Sequence, residues 1–211
     1  RALTKPSDSY QGLSADKQLN ASVLQLENEL YGLVRPKIVS AEQRPLMAMY
    51  DHGVQYVELR SLDNNPELPL GINVEQSQFL DLFLMYCALA ESPEISDAER
   101  ILIANRQELV ATQGRKPGLT LPTLAGEMPL TALGDTLLNA MLPIATMFDT
   151  SFNTQAHTTS IKQAQAKLKD SALTPSAKVL AAMKAVTSME KLASINTQQV
   201  SHTTLNMQLS D

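Results

Sequence analysis

The chain has 211 residues, of which 44% are hydrophobic, and a formal net charge of −5. This length and composition allow one good core, and no apolar run approaches the roughly 20 residues that span a bilayer. The acidic balance excludes nucleic-acid binding through a broad basic face, because neutralising phosphates requires clustered Lys and Arg. We therefore expect neither nucleic acid nor a membrane as a partner.

The chain contains a single cysteine, Cys87, which excludes an internal disulfide. It lies in an apolar run, where a buried and inert thiol is expected. A lone thiol fits a reducing compartment, so we expect a cytoplasmic location. Because the first residue is Arg1 and not Met, we also expect a processed or truncated piece of a longer protein.

Residues 23–31 alternate in polarity, which predicts a first β-strand. Leucines occupy one face of this strand, whereas Glu27, Glu29 and Tyr31 lie on the other. A helix is also conceivable here because Leu, Gln and Glu favour helices, but Gly32 and Pro36 leave little room for one.

Residues 56–60 predict a second strand, which ends at the turn formers of residues 63–66. Val57 and Leu59 face one way, and Tyr56, Glu58 and Arg60 face the other. If the two strands pair in one antiparallel sheet, their polar faces share a cleft.

The remainder of the chain favours helices, so the predicted fold class is α+β, with antiparallel strands in the first third followed by a helical region. The last stretch, 196–211, is rich in Thr, Gln and Ser and is expected to be disordered or a loosely docked strand. Residues 1–70 are predicted to form the strand-rich part of a sheet and residues 71–211 a helical region, together one incomplete domain. The predicted helices cover residues 75–90, 96–112, 131–148, 159–169 and 176–193, and Ser96 with Glu99 forms a capping-box signature for the second of them.

The chain lacks a Gly-rich phosphate loop, a dinucleotide fingerprint and paired Cys or His at metal-binding spacing. The two polar strand faces remain as candidates. Mg²⁺ takes carboxylates together with substrate phosphates, and Arg binds phosphate with its fork of donors, so Glu29 or Glu27 with Glu58 and Arg60 could hold a metal–nucleotide centre. The alternative is a solvated sheet face with a cross-strand Glu–Arg pair, and periodicity does not decide between them.

Four blocks of the sequence, in their order and spacing, resemble the carboxy-terminal part of proteobacterial-type glutamate–cysteine ligase. The resemblance covers residues 20–121 well and the tail loosely. The blocks are LQLENELYGLVRPK (24–37), YVELRSLDNNP (56–66), FLDLFLMYCALAESPE (79–94) and GRKPGLTL (114–121).

The resemblance implies an ATP-dependent ligase that phosphorylates the γ-carboxylate of glutamate and joins it to the amine of cysteine. It implies a fold similar to glutamine synthetase, with Mg²⁺ as cofactor and ATP, glutamate and cysteine as substrates. In this family's pattern Glu58 is a magnesium ligand, Arg60 contacts the reacting phosphate and Tyr31 lines the substrate pocket. Glu29 is a further candidate metal ligand, and a purely structural role remains open for it.

Proteins of this family are more than twice as long, so the resemblance implies that this chain holds half a site and is inactive alone. Its partner would be the missing amino-terminal part of the same enzyme. The contrasting hypothesis is a noncatalytic docking module derived from the fold. For Arg35 and Lys37, phosphate steering and a solvated turn remain open, whereas for Arg115 and Lys116 we favour complementing a helix carboxyl end.

Overall fold

The computed structural model describes residues 6–26 and 31–208, with side chains up to residue 202. The chain divides into two compact units, Arg1–Asp63 and Asn64–Asp211. The boundary falls within the turn formers that follow the second strand. The sequence-based division at residue 70 into parts of one incomplete domain stays a prediction.

A two-stranded antiparallel sheet defines the first unit. Strand β1 (Val34–Lys37) pairs with β2 (Tyr56–Leu59), and helix α1 (Pro45–His52) lies between them in the chain. The pairing extends beyond the strands, because the Arg60 amide donates to the Leu33 carbonyl at 2.8 Å. Of the described apolar residues in this unit, Ala48 is the one that is fully buried.

The prediction of a strand at residues 23–31 is wrong for its described part, since neither residues 23–26 nor Tyr31 are in a strand, and residues 27–30 lie outside the described residues. The Gln25 side chain explains the local structure. Its carbonyl oxygen accepts from the Leu19 amide at 2.8 Å, and its amide group donates to the Asn20 carbonyl at 2.9 Å. Such local side-chain bonds compete with a strand ladder, and the strand begins only at Val34.

The second unit contains most of the helices, and the predicted ones at 75–90, 96–112, 131–148 and 159–169 are confirmed within a few residues at each end. The capping box is also confirmed, because the Ser96 side chain accepts from the Glu99 amide and the Glu99 side chain accepts from the Ser96 amide. The observed elements are α2 (Val74–Leu89), α3 (Asp97–Gln113), β3 (Thr120–Thr123), β4 (Gly126–Pro129), α4 (Leu130–Phe152), α5 (Ala156–Lys169), α6 (Pro175–Val186) and α7 (Met189–Gln208).

Three predictions for this unit need correction, concerning Cys87, the helix at 176–193 and the last stretch, and one further element was missed. The hairpin of β3 and β4 was not predicted, and Cys87 is exposed rather than buried. The predicted helix at 176–193 is broken at Thr187, which has a left-handed φ of 71°, and the Ser188 side chain then accepts from the Lys191 amide at 3.1 Å. Residues 196–208 continue this second helix instead of forming a strand or a disordered tail; the Asn196 side chain anchors it by donating to the Pro66 carbonyl at 2.8 Å.

The core of the second unit forms where α2, α4 and α5 meet. Gly134 on α4 allows close approach of α5, since a Cβ at this position would lie 2.5 Å from Leu168 Cδ1. The beginning of α4 therefore packs closely against the end of α5. The buried core residues are Leu82, Leu138, Met141, Ala145 and Ile161.

Asp149 near the end of α4 connects this helix to the beginning of α5. Its carboxylate accepts from the amides of His157 and Thr158, each at 2.9 Å, and from Thr158 Oγ1 at 2.7 Å. His157 Nδ1 lies 2.9 Å from Oδ1 and is the fourth partner. Burial raises the pKa of Asp149, but the hydrogen bonds from Thr158 and His157 outweigh it and hold the pKa well below the ordinary value.

By length and composition alone α4 is also able to cross a membrane, contrary to the expectation that no apolar run approaches this length. This is weak evidence, because the core helix of a soluble protein passes the same test. In this structure α4 supplies Leu138, Met141 and Ala145 to the core and carries Asp149 on the α5 side.

We predict that Asp149→Ala lowers the free energy of unfolding of the second unit by about 2–3 kcal/mol, because it leaves buried donors at the beginning of α5 without an acceptor. Thermal unfolding followed by far-UV circular dichroism measures the effect. Asp81→Ala on exposed α2 surface is the matched control, and an equal loss in both variants would contradict the assigned role of Asp149.

The stabilisation by Asp149 should also depend on pH. Because the folded-state pKa lies below the ordinary value of 3.8, the unfolded state binds the proton first as the pH falls. The contribution is therefore complete above about pH 4 and declines below it. Asp149→Asn cannot titrate, so the stability gap between wild type and this variant should narrow from about pH 6 to about pH 3. A gap that is constant or widens on acidification would contradict the depressed pKa.

Candidate functional site

The pairing of β1 and β2 places the charged side chains of these two strands on one face of the sheet. Arg35 is opposite Glu58, and Lys37 is opposite Tyr56. Directly paired residues share a face, and side chains alternate along each strand, so Val34, Pro36, Val57 and Leu59 lie on the other face. The predicted common face of Tyr56 and Glu58 is thus confirmed.

Glu58 lies between two cations. Arg60 Nε donates to Glu58 Oε1 at 2.9 Å, and Lys37 Nζ lies 3.2 Å from Oε2. This Oε2 atom is shielded from solvent and has no well-aligned hydrogen bond, so its contact with Lys37 is an ion pair. The hydrogen bond from Arg60, followed by the interaction with Lys37, lowers the pKa of Glu58, and the carboxyl is ionised at neutral pH.

Arg60 is held by this contact and by its backbone. It follows the last residue of β2, and its amide is bonded to the Leu33 carbonyl, which fixes the start of the side chain. Its guanidinium carbon lies 5.8 Å from the centre of the Tyr31 ring, within the range of a cation–π contact. Within the described part of the chain, no hydrogen bond from its two terminal nitrogens is observed, so these donors can serve an anion.

The structure therefore brings together three of the four predicted site residues, Tyr31, Glu58 and Arg60. Tyr31 is 85% exposed and would present most of its ring to a bound molecule. The fourth, Glu29, lies outside the described residues, as does Glu27. The roles assigned to these residues stay predictions.

Lys37 is the member of the cluster that the sequence left undecided. From the sequence, the expected pairing partner of β2 is the strand at residues 23–31. Lys37 lies beyond the end of that strand, so the sequence did not place it on the sheet. The available signal was the alternation of Arg35, Pro36 and Lys37, which places both cations on one face once these residues are taken as a strand. Pro36 obscured this signal because proline is rare inside sheets.

Glu58 Oε2 fits the position of one ligand to a cation, because the Lys37 ammonium already occupies a cation's place beside it. The described residues do not complete a metal site, since no three His, Cys, Asp or Glu side chains among them cluster around a common point. Mg²⁺ at Oε2 would replace Lys37 and would need further oxygen ligands.

The charged face by itself defines an anion-binding or cation-binding surface, and sequence comparison gives the family. Residues 1–110 match the glutamate–cysteine ligase family, and the chain belongs to this family. The glutamate–cysteine ligase of Azotobacter vinelandii is 40% identical over 190 residues, which are 87% of this chain and 36% of that protein. The ligase of Pseudomonas syringae pv. syringae is 46% identical over 169 residues, 80% of this chain and 32% of that protein.

A solved structure shows the same relationship. The chain is similar to the glutamate–cysteine ligase of Francisella tularensis, crystallised in complex with AMP, with a TM-score of 0.74 and 28% identity. The match covers 96% of this chain and 41% of that one. Similarity thus extends well beyond residue 121, where the sequence resemblance became loose, and the chain spans about a third of the length of the curated relatives.

The two cations should affect the pKa of Glu58 unequally. We expect Arg60→Met to raise it more than Lys37→Met, because the Arg60 hydrogen bond is the larger cause of the lowering. NMR titration of the Glu58 carboxyl carbon measures both shifts. Glu99, whose pKa is lowered by the backbone and side chain of Ser96, should not change in either variant. A Glu58 pKa that is the same in wild type and both variants would refute the cluster.

Proposed function

We propose that the chain forms part of an ATP-dependent carboxylate–amine ligase that joins the γ-carboxylate of glutamate to the amine of cysteine through γ-glutamyl phosphate. Membership of the family supports the reaction class. The observation that carries the proposal to particular residues is the cluster of Lys37, Glu58 and Arg60 on one face of the sheet, with Tyr31 beside it.

Arg60 is the proposed catalytic residue. ATP and glutamate are both anions, and their approach is opposed by charge repulsion, which a fixed cation near the transferring phosphoryl group reduces. Glu58 engages only Nε, so the terminal nitrogens remain for a two-point contact with phosphate oxygens. Tyr31 is proposed to line the substrate pocket, where its ring also limits the positions open to the guanidinium.

Glu58 is the proposed magnesium ligand, and Glu29 is a further candidate. The bound ion would neutralise phosphate charge during transfer. Besides this, Glu58 orients Arg60 through the contact with Nε. Lys37 is proposed to balance the charge of Glu58 when no metal is present and to move toward the phosphates when Oε2 holds a metal.

The site is proposed to be completed by the amino-terminal part of a longer ligase, which would supply further metal ligands, so that this chain alone is inactive. Among the described residues, support comes from Glu58 being the one carboxylate of the cluster, and from Ala48 being the one fully buried apolar residue of the first unit. A cytoplasmic location is also proposed, on the ground of the lone and exposed thiol of Cys87.

The first experiment measures ADP release from ATP and Mg²⁺ by the 211-residue chain, with and without both amino acids. We expect no release until the amino-terminal part of a family member, such as the Pseudomonas syringae ligase, is added. Release by the chain alone, dependent on both amino acids, would overturn the proposal of an incomplete site. If the assembled complex also releases no ADP, the result would instead favour a noncatalytic docking role for the chain.

In the complemented enzyme, Glu58→Gln and Arg60→Lys should each lower kcat by about a hundredfold or more, because each removes charge or fork geometry needed at the transferring phosphate. Binding of Mn²⁺, followed by electron paramagnetic resonance, should weaken in Glu58→Gln and remain in Arg60→Lys. Arg100→Lys on α3, an exposed cation paired with Asp97, is the control and should retain full activity. Retained turnover in both site variants would rule out the assigned roles.

A further inference from the structure

A cavity of about 490 Å³ lies in the second unit, between the loop that follows α3, the beginning of α4 and the end of α5. Its volume falls within the range of small-molecule sites in proteins. Four cations line it: Arg115 and Lys116 from the loop, and Lys167 and Lys169 from the last turn of α5.

None of these four cations forms an ion pair with a carboxylate in the part of the chain that the structure describes. The one acid in the cavity wall, Asp170, is already engaged, since its Oδ1 accepts from the Ala172 amide at 2.9 Å. In a chain with a net charge of −5, four cations without an ion-pair partner around one cavity are an unusual concentration of positive charge.

The simplest alternative is that the cations only complement helix carboxyl ends, as the sequence suggested for Arg115 and Lys116. Two such ends contribute here, those of α3 and α5, and each carries about half a negative charge. Together with Asp170 they offset roughly two of the four positive charges. The beginning of α4, where Leu130 and Thr131 line the cavity, adds partial positive charge of its own. After the helix ends and Asp170 are taken into account, the cavity still has an excess of roughly two positive charges.

The backbone holds the two groups of cations in place. The Lys116 amide donates to the Gln113 carbonyl at 2.7 Å, and the Leu130 amide donates to the Leu119 carbonyl at 2.9 Å, so both ends of the loop are bonded to their neighbours. On the other side, the close approach at Gly134 fixes the end of α5, because Leu168 packs directly on it. The cavity is thus part of the helix packing.

We propose that this cavity binds a small molecule bearing a diphosphate or triphosphate group. More than one phosphate is favoured because the cations come in pairs on two separate segments, so that each pair can contact its own phosphate. The hydroxyl of Thr131 on the cavity wall provides an additional donor. The site lies wholly in the second unit and is independent of the proposed ligase chemistry.

The test uses inorganic pyrophosphate as the probe and isothermal titration calorimetry on the 211-residue chain. Lys167→Gln with Lys169→Gln should weaken binding at least tenfold, and so should Arg115→Gln with Lys116→Gln. Lys162→Gln with Lys184→Gln removes the same charge from exposed positions of α5 and α6 outside the cavity and should change the affinity less than twofold. Far-UV circular dichroism verifies the fold of each variant.

Arg60→Ala removes the proposed phosphate contact of the first unit, so the pyrophosphate binding that depends on the four cavity cations should remain in this variant. Loss of binding in Arg60→Ala with retention in the cavity variants would overturn the proposal. Equal weakening in the Lys162 and Lys184 control would overturn it as well, since this would mean general attraction to cations. The proposal also fails if wild type shows no saturable binding.

Discussion

The contact of one carboxylate with two cations organises the candidate site. Lys37 ends β1 and Arg60 directly follows β2, and the two cations would repel each other if Glu58 did not lie between them. The Glu58 carboxylate keeps the Lys37 ammonium and the Arg60 guanidinium on one face of the sheet. The antiparallel register determines which two cations can reach this carboxylate. The remaining donors of Arg60 and its contact with Tyr31 follow from this arrangement, because the guanidinium is already oriented when a ligand arrives.

Asp149 in α4 and Glu58 in β2 are both carboxylates with lowered pKa values, but their partners differ in number and kind. Asp149 has four donors, is buried and connects two helices of the core. Glu58 has one hydrogen bond and one ion pair with a flexible lysine, and one of its oxygens has no well-aligned donor. A carboxylate whose oxygens both accept hydrogen bonds stabilises the fold. A carboxylate oxygen that is paired only with a replaceable cation remains one for which a ligand can compete.

Local signals predicted much of this structure. Period two in Tyr56, Glu58 and Arg60 gave the correct common face, and Ser96 with Glu99 gave the correct start of α3. The wrong strand partner arose because alternation in residues 23–31 satisfied the strand pattern, whereas side-chain bonds from Gln25 hold the first part of it in a loop. The Lys37 contact and the cation-lined cavity depend on register and helix packing between distant segments, which a single sequence does not encode locally.

Pro36 gives β1 two unlike edges. In antiparallel pairing the amide positions alternate between partner and exterior, and the bond from Arg60 to Leu33 places Pro36 at a position whose nitrogen points away from β2. The proline ring therefore costs the existing ladder nothing, but it removes a donor from the outer edge of β1. An additional strand at this edge can pair on either side of Pro36 but not continuously across it, which limits uncontrolled edge-to-edge assembly of the sheet.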